Sequence, residues 1–408
     1  MVGLIRSVGA GLWLVVCVAG AMVDCAWAQE DRILPLDGGW ASGRIERMDA
    51  TKAYLSGSAR SFDLQELQRI ERPAATQPVR PAILVHLIDG SVLRAADVSV
   101  ASEKCTVRWA AAQPTTLGLS AIRGIRLAQG EGTKPDAAPL PAFEEALRQG
   151  KSKQDALYVI ADGQAQVVEG ALQEMDARDV TFVWGGSARK IARSKPYGLT
   201  LATLASPPDL SGMCLVRLVD GSTLWGRVKE LAGGKLTLTA HSLDIALPWD
   251  RVAQIIIRSD RVTYLSDLEP VEVVEEALVT FAGPWRRDQN VLGGKLMLGS
   301  TVYERGLGTH SRSFLTFAPE GNYSFFWAVI GIDAQTRGKG DCIFKVIGDE
   351  KELFSQRVKG TDKPTPVRLK IDGVKRLVLA VEEGEELDLS DHANWCDARF
   401  EKAKAAKE

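Results

Sequence analysis

From residue 303 to residue 400 the chain is a series of short apolar runs, each closed by glycine or aspartate turn residues. Residues 324–332 are apolar and aromatic almost throughout, which predicts a strand buried on both faces. Residues 367–371 alternate apolar and basic side chains, which predicts a half-buried strand. Residues 342–347 and 376–381 are further candidate strands, and no helical period interrupts the series. This pattern predicts a β-sandwich.

Four motifs mark this stretch: YERGLGTH at residues 303–310, GID at 331–333, RGKG at 337–340 and DHANWCDA at 391–398. On these motifs the segment from about residue 262 to the end resembles the NPCBM family of carbohydrate-binding modules. The resemblance implies a galactose-binding-like jelly roll, usually an accessory module of extracellular glycan-active proteins. It also leaves a structural calcium open, although no Asp-rich loop spacing supports one. No other cofactor is expected.

Sugar recognition needs planar hydrogen-bonding groups for neighbouring hydroxyls and an aromatic face for the C–H side of the ring. The candidate ligand-binding residues supply this chemistry from strand ends and loops, where binding groups concentrate. They are His310, Asp333, Arg337, Asp391, His392, Trp395 and Asp397. If the first and last strands of the domain pair, His310 and the loop at residues 391–397 lie close together.

Each candidate also has a structural interpretation, which the sequence leaves open. These interpretations are a core position for Trp395, a loop-holding role for His392, an ion pair between Asp397 and Arg399, and a turn-stabilising pair of Asp333 and Arg337. Trp285, followed by two arginines, is either part of a binding edge or part of the loop that leads into the domain.

The sequence contains no recognisable catalytic constellation. It has four histidines and lacks a Gly-x-Ser-x-Gly elbow, a His-Glu-x-x-His motif and a P-loop. We therefore expect a non-catalytic protein, while a carboxylate pair for glycoside hydrolysis, which has no sequence spacing of its own, stays open. The net charge of −2 gives no electrostatic case for nucleic acid. Cys342 and Cys396 could form a disulfide or remain two buried thiols.

Residues 30–260 contain a degenerate repeat that is marked by Asp-Gly pairs, a strong hairpin signal. The pairs begin at Asp37, Asp89, Asp162 and Asp220. A second glycine follows in three copies, two residues before an apolar residue: Ile45, Leu172 and Val228. A unit of roughly 40 residues is near the lower size limit for independent folding, so we expect neighbouring copies to share a core.

We therefore predict an all-β chain of four degenerate, small β-barrel-like repeats followed by a jelly-roll β-sandwich. The predicted boundaries are two repeats at 29–128, a linker and short helix at 129–154, two repeats at 155–261, the jelly roll at 262–401 and a charged tail at 402–408. Residues 1–28 have the features of a secretory signal peptide: Arg6, an apolar stretch over 9–23 and Ala26-Trp27-Ala28. An uncleaved membrane anchor is the alternative.

Together these features predict an exported, periplasmic or extracellular protein that binds a glycan or polysaccharide without catalysis, with the repeats as spacers or interaction modules. One alternative is a cell-envelope scaffold whose jelly roll binds a protein partner. Another is an accessory or glycan-active enzyme. No membrane span is expected after cleavage of the signal peptide.

Overall fold

The computed structural model describes residues 30–57, 60–73, 82–109, 112–128, 140–150, 152–161, 164–203, 208–276, 284–385 and 389–403. The predicted signal peptide and the Asp-Gly pair at residue 162 lie outside these ranges. Across them the chain is mostly β, with antiparallel sheets and one α-helix, α1 at Pro141–Gln149, which confirms the predicted all-β class. None of the helices in these ranges has the length and apolar character needed to cross a membrane.

Residues 31–257 form one hydrogen-bonded network of strands, which we describe as four segments. The first contains β1 Asp31–Pro35, β2 Ala41–Gly43, β3 Ile45–Asp49, β4 Lys52–Leu55, β5 Ser61–Asp63 and β6 Leu67–Glu71. The second contains β7 Ile83–Leu87, β8 Val92–Ala101, β9 Lys104–Trp109, β10 Thr115–Gly118 and β11 Ile122–Arg126. The third contains β12 Asp155–Ala161, β13 Gln164–Met175, β14 Asp179–Trp184, β15 Ser187–Ala192 and β16 Pro196–Thr200. The fourth contains β17 Cys214–Leu218, β18 Thr223–Ala232, β19 Lys235–Ala240, β20 Leu243–Pro248 and β21 Val252–Ile257.

The segments pair through their last strands, but not in chain order. In β6 and β21, Ile70 lies opposite Ile255, which joins the first segment to the fourth. In β11 and β16, Ile125 lies opposite Leu199, which joins the second segment to the third. Buried side chains of all four segments belong to one hydrophobic cluster. The expected sharing of a core is therefore present, while the equivalence of four barrel-like repeats stays a prediction.

The C-terminal part, residues 262–401, has two main sheets that face each other. Its strands are β22 Val262–Tyr264, β23 Glu272–Glu275, β24 Arg286–Arg287, β25 Leu296–Leu298, β26 Thr301–Tyr303, β27 Gly306–His310, β28 Ser313–Phe317, β29 Phe325–Ile332, β30 Asp341–Gly348, β31 Lys351–Lys359, β32 Thr365–Lys370, β33 Leu377–Glu383 and β34 His392–Glu401. The first sheet has the order β24-β27-β34-β29-β32, with β22 on β34. The second has the order β23-β28-β33-β30-β31, and β25 and β26 form a separate hairpin.

Aromatic side chains fill the space between the two main sheets, and all of them are fully buried: Phe317, Phe326, Phe344, Trp395 and Phe400. The strands predicted at 324–332, 342–347, 367–371 and 376–381 correspond to β29, β30, β32 and β33. The expected pairing of the first and last motifs is present in the pairing of β27 with β34. Cys342 and Cys396 are free and buried, so the structure favours the buried thiols over a disulfide.

Direct contacts join the first segment to the residues that lead into the C-terminal part, and the fourth segment to the C-terminal part itself. The hydroxyl of Ser259 donates to the backbone oxygen of Gln65 at 2.7 Å, and Arg261 pairs with Glu66. Arg217 in β17 also makes two hydrogen bonds to the Glu304 carboxylate, at 2.5 and 3.0 Å. The two parts of the chain therefore share an interface, although the predicted domain boundaries themselves stay a prediction.

Candidate functional site

Polar side chains gather at one end of the first sheet of the C-terminal part. β27 ends at His310 and β34 begins at His392, and these two residues lie opposite each other in the strand pairing. β29 ends next to Asp333, whose backbone N–H donates to the oxygen of His392 at 2.8 Å. Trp285 stands directly before β24, which pairs with β27. The ends of four neighbouring strands thus bring Trp285, His310, His392 and Asp333 together. This row of strand ends is called the edge below.

The imidazole of His310 is buried and held from two sides. Its Nδ1 lies 2.7 Å from the backbone oxygen of Ser311, and because a carbonyl only accepts, this nitrogen carries the proton. Its Nε2 lies 3.7 Å from Oε1 of Glu275, a contact that becomes an ion pair when the ring is protonated. The same Oε1 accepts the backbone N–H of Trp285 at 2.7 Å. Glu275 therefore positions the histidine and the tryptophan together.

His392 is half-buried beside His310. Burial lowers the pKa of the His392 imidazole, because it penalises the charged form; the carboxylate of Asp333 opposes this effect and His310 adds to it. The ring is therefore neutral at pH 7. A neutral imidazole carries one donor and one acceptor, which is the combination that a sugar hydroxyl can use.

The carboxylate of Asp333 is occupied by the protein itself. Its Oδ2 accepts from Nδ2 of Asn394 at 2.6 Å and from the backbone of Met297 at 3.2 Å. Its Oδ1 accepts the backbone N–H of Gln335 at 3.0 Å, which caps the short 3-10 turn Ala334–Thr336. Asp333 therefore stabilises the turn that carries Arg337 to the surface. Its carboxylate bonds to Asn394, Met297 and Gln335, and not to the Arg337 guanidinium.

Arg337 is exposed and ends the 3-10 turn in the left-handed region, with φ of 57°. Asp391, by contrast, is buried below the edge, where its Oδ1 accepts the backbone N–H of Asp341 at 2.8 Å. Burial raises the pKa of the Asp391 carboxyl. Arg337 can reach a ligand in solvent, while Asp391 holds the loop that leads into β34.

Trp395 and Asp397 lie away from this edge. The indole of Trp395 has no exposed surface and packs edge-on against Phe344, with ring centroids 5.0 Å apart, so it is part of the core. Asp397 has a positive φ of 51°, and its backbone N–H donates to the oxygen of Arg305. The interpretation of an ion pair between Asp397 and Arg399 is wrong in this geometry, because Arg399 pairs with the Glu401 carboxylate at 2.9 Å.

The structure also adds residues that the sequence interpretation missed. Glu275 reaches the edge from β23, Gln335 is exposed in the 3-10 turn, and Trp285 is half-buried beside Glu275, with Arg287 5.1 Å over its ring. The sequence gives no signal for Glu275, because its contact with His310 depends on how the strands of two different sheets are placed. The described residues contain no group of three or more His, Cys, Asp or Glu side chains that could hold a metal ion.

Residues 261–401 match the family model of the NPCBM/NEW2 domain, and this match agrees with the two facing sheets and the four motifs described above. Residues 261–401 are an NPCBM/NEW2 domain. The NPCBM/NEW2 domain therefore contains the whole candidate edge, from Glu275 to His392. The rest of the chain lies outside the match.

Similar proteins include a Renibacterium salmoninarum protein named "Putative endo-alpha-N-acetylgalactosaminidase", which is 30% identical over 145 residues. That similarity covers 34% of this chain but only 9% of the relative's length. Among solved structures, the CBM51 module of a Clostridium perfringens GH95 protein in complex with methyl-galactose is 26% identical, with a TM-score of 0.32, and covers 34% of this chain and 99% of that one.

A second solved structure contains the CBM51-2 module, in complex with GlcNAc, and INT domains of Clostridium perfringens ZmpB. It is 23% identical with a TM-score of 0.33, and the match covers 42% of this chain and 39% of that one. The tandem CBM51 modules of a family 98 glycoside hydrolase from Streptococcus pneumoniae are 15% identical with a TM-score of 0.31, over 79% of this chain and 88% of that one. The family match of residues 261–401, and not these likenesses, assigns the domain.

Proposed function

We propose that the NPCBM/NEW2 domain binds a neutral sugar of a glycan at the edge formed by Trp285, His310, Gln335, Arg337 and His392, here called the sheet-edge site. The observation that carries the proposal is the strand pairing that places His310 opposite His392, next to the half-buried indole of Trp285. The family match supports a carbohydrate ligand.

The chemistry of the sheet-edge site suits hydroxyl groups better than a charged ligand. The neutral ring of His392 offers a donor and an acceptor, Arg337 offers a planar set of donors, and the Glu275 carboxylate lies 3.7 Å from Nε2 of His310. The indole of Trp285 supplies an apolar face for the C–H side of a pyranose ring. Such a site orients a sugar through a few polar groups on an apolar support.

The same geometry supports binding without catalysis. Glycoside hydrolysis needs two carboxylates that flank the scissile bond. At the described edge, Asp333 is engaged by three hydrogen-bond donors, Asp391 is buried below the surface, and Glu275 accepts the backbone N–H of Trp285. The glycosidase name belongs to a relative of which this chain matches 9%, so we propose an accessory binding role for this protein.

We further propose that the protein is exported, with cleavage before Gln29, and that residues 30–257 act as a spacer or interaction region. The support is the sequence pattern of residues 1–28 and the continuous network of strands that precedes the domain. N-terminal sequencing of the mature protein tests export, and retained residues before Ala26 would argue against it.

A glycan array with the full chain tests sugar binding, followed by calorimetric titration of any glycan that binds. Arg337→Ala should weaken binding about ten-fold or more, because a hydrogen bond to a charged group contributes about 1.5–3 kcal/mol and about 1.4 kcal/mol is a factor of ten. His392→Ala and Trp285→Ala should also weaken it. Lys370→Ala is the matched control, because Lys370 is exposed at the other end of the same sheet, opposite Phe325.

Folded Arg337→Ala and His392→Ala variants that bind as well as the wild type would remove the sheet-edge site from consideration. An array on which the wild-type chain binds no glycan would instead favour the cell-envelope scaffold. Melting curves beside each titration separate loss of binding from loss of fold.

A further inference from the structure

A cavity of about 540 Å³ lies between the fourth segment and the NPCBM/NEW2 domain. We call it the interdomain cleft. Its volume falls within the range of about 300–1,000 Å³ that is typical of small-molecule sites. None of the residues of the sheet-edge site lines it. The interdomain cleft is therefore a separate feature, and it exists only where both parts of the chain meet.

The floor of the interdomain cleft is a row of apolar side chains on one sheet face. Trp225 in β18 lies opposite Leu215 in β17, and Leu215 lies opposite Ile256 in β21. Residues that are directly opposite across antiparallel strands point to the same face of a sheet, so the three side chains stand side by side. All three are half-buried and line the cavity. The floor thus combines an indole with two aliphatic chains.

Two tyrosines of the NPCBM/NEW2 domain line the opposite wall. Burial raises the pKa of both Tyr264 and Tyr303 to about 12, so both phenols stay protonated at neutral pH. No described residue forms a hydrogen bond with either hydroxyl. Both side chains are only half-buried and line the cleft, so their hydroxyls are accessible from it. The two phenols are therefore available as donors to a ligand.

Six of the seven charged side chains that line the interdomain cleft are paired with each other, and the exposed Lys295 forms no ion pair with a described residue. Arg305 lies 3.1 Å from the Asp288 carboxylate, also pairs with Asp267, and lies 4.9 Å over the ring of Tyr264. Arg217 makes its two hydrogen bonds to Glu304 across the interface between the two parts. A neutral polyhydroxylated ligand can use the remaining lone pairs and N–H groups of these side chains without breaking the pairs.

We propose that the interdomain cleft is a second saccharide-binding site, which takes a short neutral oligosaccharide. Trp225 and Tyr303 provide apolar faces for the sugar rings, while the tyrosine hydroxyls and the Arg305–Asp288 pair bind hydroxyl groups. Aromatic faces with a few convergent polar groups are the general composition of such sites. The chain then holds a glycan at two places, one of them dependent on the contact between the fourth segment and the NPCBM/NEW2 domain.

Calorimetric titration of the full chain with lactose and with N,N′-diacetylchitobiose tests the proposal. Binding of at least one disaccharide should survive Arg337→Ala, which removes a group of the sheet-edge site only. Trp225→Ala and Tyr303→Ala should each weaken that binding about ten-fold or more, and Tyr303→Phe should have a smaller effect. The matched control is Trp184→Ala, because Trp184 is also half-buried and lies outside the interdomain cleft.

Val302→Trp is a second cleft variant, which separates loss of binding from loss of fold. The side chain of Val302 lines the cleft and is 44% exposed, so a larger group there should fill the space and block binding while stability is kept. Binding that persists in folded Trp225→Ala and Val302→Trp chains would overturn the proposal, as would the absence of binding of both disaccharides to the Arg337→Ala chain. If only Arg337→Ala abolishes binding, the result supports the sheet-edge site and contradicts the cleft. If only the cleft variants abolish binding, the result supports the cleft and contradicts the sheet-edge site.

Discussion

The fully buried guanidinium of Arg399 donates a hydrogen bond from Nη2 to the backbone oxygen of Leu36, at 2.6 Å. This bond joins the last strand of the NPCBM/NEW2 domain to the loop after the first strand of the chain. The same guanidinium pairs with the Glu401 carboxylate at 2.9 Å and lies 5.0 Å over the ring of Trp327. Removing a charge from water is expensive, so this pair is favourable only while its hydrogen bonds are complete.

Arg399→Met should destabilise the protein by about 3–5 kcal/mol, because it leaves the buried Glu401 carboxylate without its closest partner. Denaturant unfolding of the full chain measures the change. The control is Arg376→Met, which removes an exposed ion pair with Glu272 and should change stability by less than about 1 kcal/mol. Equal stability of the Arg399→Met chain and the wild type would contradict the structural role of the buried pair.

Two buried serines connect the second and fourth segments in a reciprocal manner. The hydroxyl oxygen of Ser91 accepts the backbone N–H of Trp225 at 2.9 Å, and that of Ser222 accepts the backbone N–H of Arg94 at 2.9 Å. Ser91→Ala or Ser222→Ala should each cost about 1–3 kcal/mol, because a partly buried N–H loses its acceptor. Ser187→Ala, at an exposed position of β15, should change the free energy of unfolding by no more than about 0.5 kcal/mol. Wild-type stability of the double variant would refute this assignment.

Trp395 should behave as a core residue. Trp395→Ala should lower the free energy of unfolding by about 3–5 kcal/mol, because it removes a fully buried indole from contact with Phe326 and Phe344. Trp395→Phe keeps part of this packing and should be milder. Trp285→Ala, at the half-buried edge, should be the least destabilising of the three in chemical denaturation. A Trp395→Ala chain as stable as the wild type would restore Trp395 as a candidate sugar platform.

His86 should make stability depend on pH. Burial, helped by Arg126 and Arg123, lowers the pKa of its imidazole from 6.5 to about 4. Between pH 6.5 and pH 4 the unfolded chain therefore binds more protons than the folded one, and stability falls as the pH falls through this window. The loss from His86 alone amounts to about 3 kcal/mol, at 1.36 kcal/mol for each pKa unit.

His86→Phe keeps a ring next to Phe143, whose centroid lies 6.1 Å away, and removes the titration. Unfolding of this variant across the same window should show a shallower pH slope than the wild type. Asp391 and Asp397, whose pKa values burial raises, act in the opposite direction in both proteins, so they cancel in the comparison. Parallel slopes of the two proteins would show that His86 is not buried in the neutral form.

The sequence alone determined the local structure of much of this protein. A continuous apolar run predicted β29, clean alternation predicted β32, and short apolar runs bounded by glycine or Asp-Gly turns predicted β30 and β33, because these patterns are properties of neighbouring residues. The four motifs were enough to indicate the family of the NPCBM/NEW2 domain. The repeat pattern also singled out Ile45 and Leu172, whose backbone N–H groups both bond to an aspartate of the first strand in their segment, at 2.8 and 2.7 Å.

Only the tertiary structure decided which predicted site residues share a surface. A strand that is buried on both faces shows no alternation, so the sequence could not tell whether the indole of Trp395 points into the core or towards solvent. Glu275 contacts His310 because two sheets face each other, and Trp225 shares the interdomain cleft with Tyr303 because two parts of the chain dock. Such contacts join residues far apart in sequence, and the free energy that selects them comes from packing of the whole molecule.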